Sequence, residues 1–163
     1  MFSTQGPRLK FFAGLRRSYE KAAKIFGMSK GNNKFAVKRT RTGLGLFTLQ
    51  PIKADERIIE YVGPVISAEE ADRRGGKYLF ELDEKRAIDG RARSNTARYI
   101  NHSCQPNAKG YTTGRRIWIW SLKAIKAGEE ITIDYGKEYL DAHIERCKCP
   151  KCATPTGKKA KKA

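Results

Sequence analysis

The sequence predicts a mainly β domain with short helices, of the α+β class, on three observations. Between residues 34 and 136 the apolar residues come in short runs of strand length, several of them alternating. Glycine and proline clusters separate those runs at close intervals. No long amphipathic helix interrupts them. A chain of 163 residues, 39% apolar, can bury one core and still carry tails.

Seven runs read as strands: KFAVKR (34–39), LGLFTL (44–49), RIIEYV (57–62), KYLFEL (77–82), RAID (86–89), RRIWIWSL (115–122) and EITIDY (130–135). In IWIW the two isoleucines face one side and the two tryptophans the other, because side chains alternate along a strand. Pro51, Gly63-Pro64, Gly75-Gly76, Asp89-Gly90 and Ala127-Gly128 mark the turns between runs. Ser67 followed by Glu70 forms a capping box, which predicts a short helix over 68–74.

The net charge of +17 is concentrated at the ends. Residues 1–34 hold eight Lys/Arg against Glu20 alone, and residues 146–163 hold seven with no acid, +7 in each case. Residues 35–145 carry only +3, the balance of an ordinary folded domain. From Lys10 to Gly27, Phe12, Leu15, Tyr19, Ala23 and Phe26 recur at helical spacing, with four basic residues off that stripe. That pattern suits a helix packed on the domain, or a basic helix that meets nucleic acid or an anionic surface. The closing ATPTGKKAKKA is low-complexity and expected to be disordered. No apolar run reaches the length of a membrane span, and no signal-peptide pattern opens the chain. An Arg-rich, acid-poor opening leaves an organelle transit peptide as the targeting alternative.

Four cysteines carry the clearest chemical signal. Cys147, Cys149 and Cys152 stand within CKCPKC, and Cys104 lies inside RYINHSCQPN. Three clustered thiols leave one position of a tetrahedral zinc site open, and Cys104 would close it with no cysteine left over. Two other readings compete. Cys149-Pro150-Lys151-Cys152 has the form of a redox pair, though outside the usual strand-to-helix setting. Two disulfides would also use all four thiols, but they suit a secreted chain.

TGLGLF (42–47), EYVG (60–63), RYINHSCQPN (98–107) and GEEITIDYG (128–136) stand in that order. Together they resemble the four signature blocks of the SET-domain protein lysine methyltransferases, and CKCPKC resembles that family's post-SET segment. The resemblance spans about residues 34–152. It implies a fold of small curved sheets with a C-terminal pseudoknot, plus a post-SET zinc segment. It divides the chain into a basic extension (1–33), a SET domain (34–136), a post-SET segment (137–152) and a lysine-rich tail (153–163). The compact length, without a pre-SET cysteine array or reader domain, resembles bacterial or viral members.

The same resemblance implies S-adenosylmethionine as cofactor, with the substrate lysine entering from the opposite face. Carried over by position, Thr42, Gly43, Leu44, Gly45 and Leu46 pass along the cofactor, with Gly43 and Gly45 permitting close approach. Tyr78 and Arg98 flank it, while Asn101 and His102 hold its two ends, so His102 is expected to be neither base nor metal ligand. Tyr135 is the expected catalytic residue, orienting and stabilising rather than taking a proton, since a phenol near pKa 10 is a poor base. A core tyrosine ending a strand is the structural alternative. Tyr61, Ile133 and Tyr111 are expected in the lysine channel. Two departures from the family pattern stand out: C-x-C-x₂-C where C-x-C-x₄-C is usual, and Ile133 where the family favours Phe or Tyr.

The activity so implied is methylation of lysine in a basic protein, histone-like or of a nucleoid, by a monomeric enzyme in the cytoplasm or nucleoid, or exported to a host nucleus. The alternative is a non-enzymatic zinc module that binds nucleic acid through its basic ends.

Overall fold

A computed structural model describes residues 34–153. The expected helix over 10–27 and the tail beyond residue 153 lie outside the described residues. Ten strands run in chain order: β1 (Phe35–Thr40), β2 (Gly43–Thr48), β3 (Arg57–Tyr61), β4 (Val65–Ser67), β5 (Leu79–Asp83), β6 (Arg86–Asp89), β7 (Asn101–His102), β8 (Ala108–Thr113), β9 (Arg116–Ser121) and β10 (Thr132–Ile133). Helix α1 (Ala68–Arg74) sits between β4 and β5, while α2 (Lys137–His143) and α3 (Pro150–Ala153) follow β10. A 3-10 turn covers Thr96–Tyr99.

The strands form four small sheets rather than one large one: β1-β2, β3-β9-β8, β4-β6-β5 and the parallel pair β7-β10. Helix α1 begins as its sequence demands. The Ser67 hydroxyl accepts the Glu70 N–H at 3.2 Å, and Glu69 and Glu70 place negative charge on the first turn. Leu46, Ile117, Ile119, Ile125 and Ile131 are fully buried, and Tyr61, Ile88, Ile100 and Ile133 join the same core.

Three differences from the sequence-based elements have local causes. EITIDY shortens to the two-residue β10, because Glu130 pairs with Phe47 and the Ile131 N–H bonds to the Leu46 carbonyl at 2.8 Å. Strands β4, β7 and β8 are missing from the sequence reading, the first two because they are only three and two residues long and β8 because AKGYTT has little apolar content; β8 is an edge strand whose outward face is solvent-exposed. Helices α2 and α3 bury no residue fully, so no apolar stripe announces them.

The parallel β7-β10 pair brings two signature blocks together, Asn101 opposite Thr132 and His102 opposite Ile133. The buried Asn107 ties these blocks further, and the buried Asn95 ties Gly90 to the EYVG block. Asn107 donates to the Glu130 carbonyl (2.8 Å) and accepts the Thr132 N–H (2.9 Å). Asn95 donates to the Gly90 carbonyl (3.1 Å) and accepts the Val62 N–H (3.2 Å). Each amide replaces backbone partners that the irregular chain path cannot supply, so neither buried amide is left unsatisfied.

Candidate active site

Two cavities meet beside the β7-β10 pair. The first, about 760 Å³, is walled by Tyr61, Phe80, Ile100, Ile119 and Ile133 among others. The second, about 640 Å³, runs from Thr42, Gly43 and Leu44 past Asn101 and His102 to Cys147 and Cys149. Lys77, Tyr78, Arg98, Tyr135, Tyr139 and His143 line both. Volumes of this order suit small-molecule or peptide side-chain ligands.

Tyr135 stands in that shared wall. Its hydroxyl donates to the Ile100 carbonyl at 2.6 Å, and its ring packs edge-on against Tyr139 at 4.9 Å. Burial, then the neighbouring phenols, push its pKa above the ordinary tyrosine value. Tyr61 is held alike: burial raises its pKa, and its hydroxyl donates to the Tyr78 carbonyl at 2.9 Å. Both phenols are therefore neutral dipoles at neutral pH, with each oxygen still able to accept a hydrogen bond.

Gly90 fixes the position of Tyr61. A Cβ at residue 90 would lie 2.3–2.4 Å from the Tyr61 ring and hydroxyl, well inside contact distance. Gly90→Ala is expected to displace the ring and cost about 1–3 kcal/mol, the usual range for overpacking a core. Equilibrium urea unfolding of the two chains measures it; equal midpoints would show that the ring gives way freely.

The glycines of TGLGLF divide their roles. Gly43 lines the second cavity and sits at φ +120°, a conformation that L residues rarely adopt. Thr42, Gly43 and Leu44 line the second cavity, while Gly45 and Leu46 continue β2 behind them. A Cβ at residue 45 would lie 2.3 Å from Glu130 Oε1 and 3.0 Å from Asn101 Nδ2, so this glycine makes room for the Asn101–Glu130 hydrogen bond (2.7 Å). Leu46 is wholly inside the core. Asn101 also donates to the Leu44 carbonyl at 3.1 Å, joining three signature blocks through one amide.

Arg98 spans the two cavities. Its guanidinium stacks on Tyr78, 3.9 Å from the ring centre, and Nη1 donates to the Arg91 carbonyl at 2.5 Å. Its Nε is buried and has no hydrogen-bond partner among the described residues. An unpartnered guanidinium N–H at the wall of a cavity suits an acceptor on a bound molecule, such as a carboxylate. That group, the glycine-lined backbone at Gly43 and the cavity volume fit an amino-acid-bearing cofactor such as S-adenosylmethionine.

Tyr111, expected in the lysine channel, is not among the residues that line either cavity. On β8 the odd-numbered residues face away from the core, and Tyr111 is 46% exposed. Tyr139 and His143 line both cavities and were missed. Helix α2, which carries them, leaves only the Lys137/Asp141 pair at i,i+4 as a sequence signal.

The four cysteine sulfurs converge. Cys104 Sγ lies 3.8 Å from Cys147 Sγ and 3.6 Å from Cys152 Sγ, and the Cys104 N–H donates to Cys149 Sγ at 3.5 Å. Thiolates about 2.3 Å from one tetrahedral zinc lie about 3.8 Å from each other, so the spacing fits that ion. His102 Nε2 stands 3.3 Å from Cys104 Sγ and is a rival ligand by distance alone. Its tautomer argues otherwise. His102 Nδ1 accepts the Tyr135 N–H at 3.3 Å, so the ring proton is on Nε2, where it donates to the sulfur. Burial holds the imidazole pKa below its ordinary value despite the Asp134 carboxylate 3.5 Å away, which keeps the ring neutral. His102 thus donates to the Cys104 sulfur, the position that an outer partner of a metal ligand takes.

Residues 43–136 match the SET domain family. Among curated relatives, the chain is 42% identical over 122 residues to histone-lysine N-methyltransferase set1 of Dictyostelium discoideum, covering 66% of this chain and 8% of that protein. It is 43% identical over 129 residues to histone-lysine N-methyltransferase set-2 of Caenorhabditis elegans, covering 71% and 8%. With histone-lysine N-methyltransferase SUV39H2 of Gallus gallus it shares 40% over 111 residues, covering 57% and 27%. The chain thus spans less than a third of the length of each. No helix among the described residues is long and apolar enough to cross a membrane. With the family match running unbroken from β2 to the end of the Asp134-Tyr135-Gly136 block, and the paired strands that block requires in place, the chain belongs to the SET-domain family.

Proposed function

We propose that this protein methylates lysine side chains of a basic protein, using S-adenosylmethionine bound in the second cavity and the lysine entering through the first. The observation that carries this reading is the shared wall: Tyr135 borders both cavities, so two ligands can meet beside one phenol. The cofactor, when bound, supplies an electrophilic methyl group on a positive sulfur.

The residues of the chain prepare the nucleophile. A lysine amine of reference pKa about 10.4 must be neutral to attack. The apolar wall of Ile100, Ile119 and Ile133 and the guanidinium of Arg98 both disfavour its charged form. Tyr135 and Tyr61 spend their protons on backbone carbonyls, leaving oxygen lone pairs to accept amine N–H groups and orient the attack. Glu81, Asp134 and Glu138, set among Lys77, Arg98 and Lys137 at the first cavity, can pair with basic residues around the target lysine, as in a histone-like or nucleoid protein. Such a substrate places the reaction inside a cell.

Zinc bound by Cys104, Cys147, Cys149 and Cys152 would be structural, closing the wall of the second cavity to which Cys147 and Cys149 belong. The basic ends, +7 each, would bring a monomeric enzyme to a nucleic-acid-bound substrate by releasing counterions. The test is transfer of radiolabelled methyl groups to a histone mixture, a bacterial nucleoid protein and a short lysine peptide, with methyl-lysine identified by mass spectrometry. Methyl-lysine is the expected product. Cofactor binding without any methylated lysine would overturn the reading.

A further inference from the structure

The outward face of the β3-β9-β8 sheet carries chemistry that the methyl-transfer site does not use. Its inner face holds Tyr61, Ile117 and Ile119 against the core. Alternation therefore turns Trp118 and Trp120 of β9 outward, together with Arg57 and Glu60 of β3 and Lys109 and Tyr111 of β8.

Strand register orders these residues in rows. Arg57, Trp120 and Lys109 lie side by side across the sheet, and Glu60, Trp118 and Tyr111 form the next row. Tyr111 meets Trp120 edge-on at 6.5 Å. The Arg57 guanidinium lies 4.5 Å from the Trp118 ring centre, and Lys109 Nζ lies 5.4 Å from that of Tyr111. Glu60 is the lone acid of this group, and Arg116 approaches it at 3.7 Å. The surface thus presents the exposed Tyr111 beside the half-buried rings of Trp118 and Trp120, with three cations whose charge that single carboxylate offsets only in part.

A purely apolar partner would leave those cations desolvated and unpaired. A strand of nucleic acid satisfies both features at once: its bases offer flat faces to the rings and its phosphates offer charge to Arg57, Lys109 and Arg116. A duplex offers only its backbone, because its bases are already stacked. From this arrangement we propose that the outward face of β3-β9-β8 binds single-stranded nucleic acid, RNA or DNA, independently of the lysine-rich ends and of methyl transfer.

Trp118 and Trp120 are the two tryptophans of the chain, so tryptophan emission reports this face and nothing else. The experiment titrates the full chain with oligo(dT), oligo(U), a duplex of equal length and polyglutamate, following tryptophan emission and the anisotropy of labelled oligomers across a salt series. Saturable quenching by the single strands is expected, with clearly weaker quenching by duplex and polyglutamate. Tyr111→Ala should weaken single-strand affinity by about tenfold, the lower part of the range for loss of a stacking partner, and Arg57→Ala should weaken it with a shallower salt dependence, as loss of a phosphate contact does. Near-UV circular dichroism checks that both variants stay folded. Whichever of RNA and DNA quenches at the lower concentration identifies the preferred strand. Anisotropy showing oligomer binding with unchanged tryptophan emission would assign binding to the ends and overturn the proposal. Equal quenching by duplex or polyglutamate would overturn it too, since a general polyanion surface needs no stacking.

Discussion

Tyr135→Phe is expected to lower methyl transfer by about tenfold or more, at least about 1.4 kcal/mol of barrier, with cofactor affinity nearly unchanged. The ring would keep its packing against Tyr139, so the shape of the shared wall should survive. What disappears is one oxygen. Its loss removes the acceptor that orients the amine and leaves the Ile100 carbonyl without its 2.6 Å partner. The second effect should cost about 1 kcal/mol of stability, the net worth of an ordinary hydrogen bond. Calorimetric titration with the cofactor, turnover on a lysine peptide and urea unfolding separate the three quantities. Normal turnover in the Phe variant would leave the phenol no role beyond packing.

Cys104→Ser is expected to abolish stoichiometric zinc and to reduce methyl transfer by more than about tenfold, through loss of structure rather than of chemistry. Structural zinc sites contribute on the order of 10 kcal/mol to the short segments they organise, and the Cys147–Cys152 segment has little else to hold it. Helix α3 spans four residues and buries none fully, though Cys149 itself lies inside the site. The core around Leu46, Ile117 and Ile119 contains no zinc ligand, so the domain should stay folded while this segment loosens. Because Cys147 and Cys149 line the second cavity, the cofactor would lose part of its enclosure. Metal analysis by mass spectrometry and hydrogen exchange over residues 144–153 read the two consequences. Full activity in a metal-free protein would show that the thiols serve another purpose.

His102→Gln tests the tautomer argument at smaller scale. A Gln can neither accept from the Tyr135 N–H nor donate to Cys104 with the geometry of the ring, so zinc affinity should fall by about 10- to 100-fold, the range for loss of an outer partner. Competition with a chromophoric chelator measures it. Complete loss of metal, as in the Cys104 variant, would instead make His102 a ligand.

Short-range patterns were legible from the chain alone. Alternation gave the inward isoleucines and outward tryptophans of β9, the Ser67 and Glu70 pair gave the start of α1, and the closed thiol count anticipated that the four cysteines lie together. Each of these depends on residues near one another or on residue type, which a linear reading preserves. The signature blocks gave the family because their side chains cross-link distant segments, as Asn101 and Asn107 do to Glu130.

Other features needed the third dimension. The room that Gly45 leaves for the Asn101–Glu130 bond and the outward turn of Tyr111 on β8 appear only once distant segments are brought together. Tyr139 and His143 enter the shared wall only because α2 folds back over both cavities, with no apolar period to announce it. The sequence by itself determined the family, the strand-rich class and the stoichiometry of thiols, since these follow from residue identity and local period. Only the tertiary structure decided which side chains share a cavity, which glycine makes room for what, and which ring nitrogen faces the sulfur. Those depend on distances between residues far apart in the chain, which spacing along it does not encode.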